Sequence, residues 1–162
     1  MPEVLFAPWR YEYLVADKAL GCIFCDAGAS ESDEESLVVH RGERVFVLLN
    51  RYPYTNGHLM IAPYGHHARL SDSPDDVLRE LIATVARSEK ILTDAYRTDG
   101  LNIGVNLGSA AGAGVSDHYH VHVVPRWSGD TNFMTVAGGV RVVPEELSAT
   151  RGRLAALFGA GR

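Results

Sequence analysis

Short apolar runs separated by turn residues occupy the first part of the chain. They cover residues 37–40, 45–50 and 58–62, with Gly42 in the first gap and Asn56-Gly57 in the second. Runs of this length that are rich in β-branched residues and bounded by turn residues are typical of strands. We therefore predict three strands that follow one another as an antiparallel meander.

A longer segment carries apolar residues at helical spacing and predicts the main helix. Apolar residues at this spacing extend from Leu78 to Tyr96. The preceding Ser73-Pro74-Asp75-Asp76 supplies a hydroxyl N-cap, a proline in the first turn and acids at the positive end of the helix dipole. Gly100 marks the predicted end. A second, short helix is predicted over 144–158.

Further strands are predicted over 101–106 and within the segment 116–127, with a short one over 140–143. The chain shows no internal repeat and no linker between two apolar units. Residues 1–162 are therefore predicted to form a single domain of mixed strands and helices.

Three histidines lie at a spacing of two in segment 116–127: His118, His120 and His122. On a helix successive members would point about 200° apart, whereas on a strand all three leave one face at intervals of roughly 6.6 Å. The valines around them favour a strand that Pro125 ends. A buried structural cluster is a weak explanation, because neighbouring imidazoles repel once a second one is protonated.

Composition narrows the class of protein. Of the 162 residues 46% are hydrophobic and 22% are charged, which is ordinary for a globular protein, and the net charge of −5 argues against general nucleic-acid binding. No apolar run reaches the ~20 residues of a membrane span, and no signal peptide is visible. Two cysteines cannot build a disulfide framework, so we expect the reducing cytoplasm.

A loop with few side chains precedes the histidines. Residues 108–114 are glycine, alanine and one serine, following Asn106, and such a loop lets backbone N–H groups approach an anion. A neutral imidazole attacks phosphorus well. His120, with a histidine on each side, is the predicted nucleophile. His122 and the amides from Gly114 to Ser116 are predicted to donate to phosphate oxygens.

Two other uses of the histidines remain open. A catalytic zinc held by the histidines themselves would need an activated water and usually a carboxylate base. A nucleotide-binding module without catalysis would bind the same ligand and leave it intact. The three hypotheses differ in whether nucleotide is consumed and whether chelation stops turnover.

Three segments together resemble the histidine triad (HIT) family: residues 50–59, 106–108 and 118–126. The repeat His-x-His-x-His followed by two apolar residues is that family's defining motif. The resemblance implies that His120 is the nucleophile and that His122 and Asn106 contact phosphate. It also implies that Asn50 holds the ribose and that His58 supports the nucleophile.

The resemblance covers about residues 22–143 and implies an α+β, HIT-like fold. Its antiparallel sheet would have one long and one short C-terminal helix and would continue across a homodimer. An N-terminal aromatic segment, 7–14, and a C-terminal helix, 144–158, flank this core. The aromatic segment either docks on the core or borders a planar ligand with Trp9 or Tyr13.

Residues 8–13, 50–54 and 125–133 resemble bacterial branches of the family that act on dinucleoside polyphosphates. The implied substrate is a diadenosine tetraphosphate-like molecule, cleaved by hydrolysis or by phosphorolysis. Arg126 and Trp127 would serve a second nucleoside or a distal phosphate, or Trp127 would instead seal a dimer interface.

Cys22-Ile23-Phe24-Cys25 has two ordinary explanations, a redox pair or two buried thiols, and no βαβ pattern supports the redox pair. The resemblance adds a third, because some related proteins bind zinc through a cysteine pair, a histidine after Pro-x-x, and the first triad histidine. It implies a structural zinc and no organic cofactor. The implied ligands are Cys22, Cys25, His66 and His118.

Overall fold

The computed structural model describes residues 21–130 and 145–160. The aromatic segment 7–14, the predicted strand 140–143 and the first residue of the predicted last helix lie outside these ranges. Within residues 21–130 and 145–160, no helix has both the length and the apolar composition needed to cross a membrane.

Helices flank a five-stranded sheet in the described part of the chain. The elements in chain order are α1 (Ile23–Ala29), β1 (Val38–Arg41), β2 (Val45–Leu49), β3 (Leu59–Pro63), α2 (Asp75–Tyr96), β4 (Gly100–Val105), β5 (Val121–Arg126) and α3 (Leu147–Ala160). The sheet order is β1-β2-β3-β5-β4, and all neighbours are antiparallel. The predicted meander of three strands and the mixed α and β class are confirmed.

The sheet is covered on both faces over β2 and β3, which explains why these two strands are buried at every position. Because side chains alternate along a strand, odd and even residues face opposite sides. On one side Val47, Ile61 and Val123 pack with α2 and α3. On the other side Phe46 and Met60 pack with Phe24 and Ala27 of α1. The even residues of β5, including His122, therefore lie on the α1 side.

The main helix differs at both ends from its prediction. It begins at Asp75, and Ser73 does not cap it, because the Ser73 hydroxyl lies 2.7 Å from the buried hydroxyl of Tyr119. It ends at Tyr96, before Gly100, because Arg97 takes a left-handed conformation with φ of 49°. Arg97 therefore ends the helix, which was predicted of Gly100.

The histidine segment is only partly a strand. Pairing in β5 begins at Val121, whereas the amide of Tyr119 donates to the carbonyl of His67 at 2.8 Å. His118 and His120 therefore precede the strand, and the prediction of one continuous strand through all three histidines is wrong. The cause is that Tyr119 bonds to the loop after β3 instead of to the sheet.

Pro125 lies inside β5 and does not end it, contrary to the prediction. It pairs with Leu101 of β4, and the pairing of β5 with β3 stops two rows earlier, at the pair Leu59 and Val123. The Pro125 carbonyl faces the β3 side, where it accepts a hydrogen bond from Thr55 at 2.8 Å. The missing N–H points to the same side, beyond the end of β3, and so removes no ladder hydrogen bond.

Helix α1 was not predicted. It has seven residues, Cys22 at its N-cap makes no side-chain capping bond, and Gly28 lies in its last turn. The sequence therefore lacks the usual start signal and the length that a helical period needs. Only Phe24 and Ala27, buried at a spacing of three, indicate a helical face.

Gly57 shapes the turn that leads into His58. Its φ is +76°, and an added Cβ would lie 3.1 Å from the Tyr96 ring and 3.2 Å from Leu92. A Cβ added to Gly152, in the middle of α3, would instead find no atom within 4 Å. Substitution of alanine at Gly152 can therefore serve as the control for the same substitution at Gly57.

We expect Gly57→Ala to lower the free energy of unfolding by roughly 1–3 kcal/mol, because an L-residue is strained at positive φ and the new methyl group meets packed side chains. Gly152→Ala should instead raise it by about 0.5–1 kcal/mol, since glycine weakens a helix interior. Urea unfolding of the two variants measures both effects. Equal stability of Gly57→Ala and the unsubstituted protein would contradict this account of the turn.

Candidate active site and metal centre

Four predicted metal ligands come together between α1, the loop after β3 and the segment before β5. One ligand atom from each of Cys22, Cys25, His66 and His118 lies within 4.8 Å of all the others. The Nδ1 atom of His118 is 3.2 Å from the Cys22 sulfur and 3.6 Å from the Cys25 sulfur. The Nδ1 atom of His66 is 3.2 Å from the Cys25 sulfur. These four residues could bind a metal ion.

The spacing and the hydrogen bonds fit a tetrahedral metal ion. At zinc's bond lengths, neighbouring sulfur and nitrogen ligands lie about 3.5 Å apart. The Nε2–H group of His118 donates to the carbonyl of Pro63 at 3.0 Å, which leaves Nδ1 with its lone pair facing the sulfurs. On the other imidazole, Nε2 of His66 lies 3.7 Å from a carboxylate oxygen of Asp117. Such outer partners orient metal-binding histidines.

Only one member of the histidine row belongs to this cluster. Within the described residues, the single group of cysteine, histidine and acidic side chains that could hold a metal contains His118 and excludes His120 and His122. His67, the sequence neighbour of His66, is also outside it. The arrangement therefore favours a metal centre beside the remaining histidines over a metal ion held by all three.

His120 is held with one ring nitrogen engaged and the other available. Its Nδ1 lies 3.2 Å from the carbonyl oxygen of His118, and because a carbonyl only accepts, Nδ1 must carry the proton. The lone pair of the neutral ring is then on Nε2. An imidazole nitrogen in this state can act as a nucleophile.

His58 and His122 form a hydrogen-bonded pair of defined direction. The amide of Tyr54 donates to Nδ1 of His58 at 3.2 Å, so the proton of neutral His58 is on Nε2. That Nε2–H group donates to Nδ1 of His122 at 2.9 Å. His122 consequently carries its own proton on Nε2, where it can donate to an oxygen of a ligand.

The surroundings keep the row of imidazoles uncharged. Burial lowers the pKa of His120 to about 4, the hydrogen bond to the His118 carbonyl acts in the opposite direction, and His122 lowers the pKa further. Burial also lowers the pKa values of His118 and His122. At neutral pH each ring therefore keeps one lone pair, which a nucleophile or a metal ligand requires.

The sheet is open beside His122. In the register of the sheet His122 lies between Met60 of β3 and Gly104 of β4. Met60 is buried under α1, whereas a Cβ added to Gly104 would find no atom within 4 Å. A ligand can therefore approach the histidines over β4, where the glycine leaves the backbone uncovered.

The glycine-rich loop lies between β4 and the histidine segment and is largely exposed. Gly114 and Ser116 are exposed and Asn106 is half-buried. A single 3-10 turn, Ser109–Ala111, interrupts the loop, with Gly108 and Gly112 at positive φ on either side. The chain order, β4 to loop to histidines, places this loop at the same end of the sheet as His120.

Asn50 is already bonded to its own loop. Its Oδ1 accepts from the amide of Tyr52 at 2.9 Å, and its Nδ2 lies 3.4 Å from Nδ1 of His58. The structure therefore brings Asn50 to the base of the histidine pair. The assignment of a ribose to Asn50 stays a prediction.

Arg126 and Trp127 lie at the other end of β5. The Arg126 guanidinium forms a bidentate pair with Asp130, at 2.5 and 2.8 Å, and donates to Asn102 at 2.8 Å. The indole N–H of Trp127 donates to the carbonyl of Tyr96 at 3.2 Å. Four strand residues, roughly 13 Å, separate Arg126 from His122, so this chain does not bring them together.

Two aromatic residues at the site were not singled out from the sequence. Phe24 lies with its ring centroid 4.4 Å from that of His120, and the Tyr54 ring lies 4.7 Å from His58 on the other side of the row. The position of Phe24 between two predicted ligands was the available signal. For Tyr54 the sequence offered no signal beyond its place in the segment 50–54.

A cysteine and histidine cluster that could hold a metal ion lies next to neutral imidazoles at the open end of the sheet face, and together they define a histidine-based site. The HIT domain family model matches residues 31–129. This chain therefore belongs to the HIT domain family.

The similar proteins agree with this membership. The chain is 48% identical over 124 residues to an AP-4-A phosphorylase of Mycobacterium tuberculosis, a match that covers 76% of this chain and 64% of that protein. It is 33% identical over 113 residues to an uncharacterised HIT-like protein of Saccharolobus solfataricus, covering 70% of this chain and 79% of the relative. The chain thus spans somewhat under two thirds of the length of the phosphorylase.

Two solved structures are similar in fold. A zinc-bound histidine triad family protein from Mycobacterium smegmatis superposes with a TM-score of 0.67 at 29% identity, covering 87% of this chain and 98% of that one. A hypothetical histidine triad nucleotide-binding protein from Sulfolobus tokodaii gives a TM-score of 0.68 at 26% identity, covering 86% of this chain and 93% of that one. The HIT-like fold inferred from the motifs is confirmed.

Proposed function

We propose that this protein is an enzyme that cleaves dinucleoside polyphosphates, of the diadenosine tetraphosphate kind, through a covalent nucleotidyl intermediate on His120. The observation that carries the proposal is the hydrogen bond from Nδ1 of His120 to the His118 carbonyl, which leaves Nε2 unprotonated. The AP-4-A phosphorylase relative, at 48% identity, supports the substrate class.

In the first step the Nε2 lone pair of His120 attacks the α-phosphorus. The bond from that phosphorus to its bridging oxygen breaks, and the remaining nucleotide leaves with the bond's electron pair. His122, protonated on Nε2 because His58 donates to its Nδ1, hydrogen-bonds a phosphate oxygen on which charge develops. Division into two displacements replaces one difficult reaction by two easier ones.

In the second step an acceptor attacks the same phosphorus and releases His120. Water would give AMP and ATP from diadenosine tetraphosphate, whereas inorganic phosphate would give ADP and ATP. The name of the Mycobacterium tuberculosis relative favours phosphate.

Residues around the open face would hold the substrate. Asn106 and the amides of Gly114 and Ser116 would donate to phosphate oxygens, because the loop that carries them is exposed and leads directly to the histidines. Asn50 would contact the ribose through a side chain that also lies beside His58.

We also propose a homodimer in which the sheet continues from one subunit to the other. Strand β4 is at the edge of the sheet, and Ile103 on it is 47% exposed. A second β4 would cover this unpaired edge. Arg126 and Trp127, at the adjacent end of β5, would then contact a second nucleoside or a distal phosphate, or Trp127 would seal the interface.

The metal bound at the cysteine and histidine cluster is proposed to be zinc with a structural role. Two sulfur and two nitrogen ligands at tetrahedral spacing suit zinc, and four protein ligands leave no open position for substrate. Free thiols at such a site also suit the cytoplasm, where we expect the protein to act. Zinc hydrolysis with the triad as ligands is disfavoured, since His120 and His122 lie outside the cluster.

Replacement of His120 by alanine should reduce turnover of diadenosine tetraphosphate at least roughly thirtyfold, about 2 kcal/mol of transition-state stabilisation, because the nucleophile is lost. His40→Gln, on the far edge strand β1, is the control and should keep full activity. Turnover is measured by chromatography of the products. A His120→Ala protein that keeps more than a few per cent of turnover, or a protein that binds nucleotide for hours without consuming it, would contradict the proposal.

Product analysis with and without inorganic phosphate should identify the acceptor. We expect ADP and ATP to accumulate when phosphate is present, because the 48% identical relative is a phosphorylase. AMP and ATP at the same rate in both incubations would assign the enzyme as a hydrolase instead.

Elemental analysis of protein purified without chelators should find close to one zinc per chain. His66→Ala should lose it, because one of four ligands is removed, while His67→Ala should keep it, because His67 lies outside the cluster. Less than a tenth of an equivalent of zinc in the unsubstituted protein would exclude the assignment.

A further inference from the structure

Phe24 contacts two of the three histidines. It lies between Cys22 and Cys25 in α1 and is 1% exposed. Its ring centroid is 4.4 Å from that of His120, with 31° between the ring planes, and 5.3 Å from that of His118. No step of the proposed reaction uses Phe24.

The His120 ring needs more than its hydrogen bond to stay in one orientation. The torsion that turns a histidine ring about its bond to Cβ is broad and roughly two-fold, so the ring has an alternative flipped state. A flip would replace Nδ1 by a carbon at the His118 carbonyl and would move Nε2 away from its present position. The Nδ1 to carbonyl contact is 3.2 Å, which is at the long end for a hydrogen bond.

Aromatic neighbours hinder rotation of the His120 ring out of its present plane towards that flipped state. Phe24 covers one face of His120, while the His122 ring meets it edge-on at 4.7 Å with 74° between planes. A buried ring with two aromatic neighbours at these distances cannot turn out of its plane without moving one of them.

Phe24 is itself held firmly. Cys22, the N-cap two residues before it, and Cys25, the residue after it, supply sulfurs that face His118 and His66. Its side chain packs with Ala27, and with Phe46 and Met60 of the sheet, in one buried cluster. Movement of Phe24 would disturb both the cluster and the cysteine pair.

We propose that Phe24 is a positioning residue for His120: its ring keeps the His120 imidazole in the plane in which Nδ1 meets the His118 carbonyl and Nε2 has the orientation required for attack. The proposal rests on the proposed role of His120 as nucleophile. A positioning role differs from general core packing, because it acts on the orientation of one imidazole.

The test compares Phe24→Leu with Phe46→Leu. Phe46 is also fully buried in the same cluster, but its ring contact is with Tyr64, and among the described residues it has no ring contact with a triad histidine. Each change removes an aromatic ring and keeps an apolar side chain, so the losses of stability should be similar. Thermal unfolding and zinc content are measured for both proteins.

We expect Phe24→Leu to lower kcat at least about tenfold relative to Phe46→Leu, with KM within about twofold, since a misplaced nucleophile slows chemistry without weakening binding. The ¹⁵N shifts of the His120 ring, assigned with a His120→Asn protein, should show a mixture of protonated Nδ1 and protonated Nε2 in Phe24→Leu only. Equal kcat values in the two variants, with one unchanged His120 tautomer, would overturn the proposal.

A second variant and a measurement without substrate complete the experiment. Phe24→Met, which retains an unbranched apolar side chain of similar length, replaces the leucine variant if that protein fails to fold. The tautomer measurement needs no substrate. If the unsubstituted protein does not cleave dinucleoside polyphosphates, the proposed function fails, and the spectra alone still decide whether Phe24 orients His120.

Discussion

One residue, His118, connects the two halves of the site. Its ring supplies Nδ1 to the cysteine and histidine cluster and donates from Nε2 to the Pro63 carbonyl, while its own carbonyl accepts the Nδ1 proton of His120. The same side chain is fully buried. Because one peptide segment makes all these contacts, the cluster, the end of β3 and the orientation of the His120 ring depend on one another.

The two layers of the core explain where the site lies. Helices α2 and α3 cover most of one face of the sheet and leave Ile103 of β4 exposed, whereas the seven-residue α1 covers only the part of the other face over β1 to β3. His122, on the α1 face of β5, therefore lies where the cover ends and the backbone of Gly104 is open. The short helix that supplies the cysteines thus also sets the edge of the ligand-accessible surface.

The imidazoles of the site are ordered by the direction of their hydrogen bonds and not by charge. Backbone groups fix the protons of two of these rings. The Tyr54 amide donates to Nδ1 of His58, and the His118 carbonyl accepts the Nδ1 proton of His120. Backbone groups cannot change their donor or acceptor character, so each neutral ring is left with one tautomer. Burial, which lowers the pKa values of His120 and His122, keeps the rings in this neutral state.

Local pattern alone determined the three-strand meander, the main helix and the grouping of His118, His120 and His122, because strand and helix periods and a spacing of two are properties of neighbouring residues. The motif also indicated the four ligands that the fold brings together. Tertiary contacts decided the rest. Ser73 bonds to Tyr119 instead of capping the helix, and Pro125 stays within β5 because β3 has already ended. The helical state of α1 and the contact of Phe24 with His120 depend on packing between segments almost a hundred residues apart, which no local pattern records.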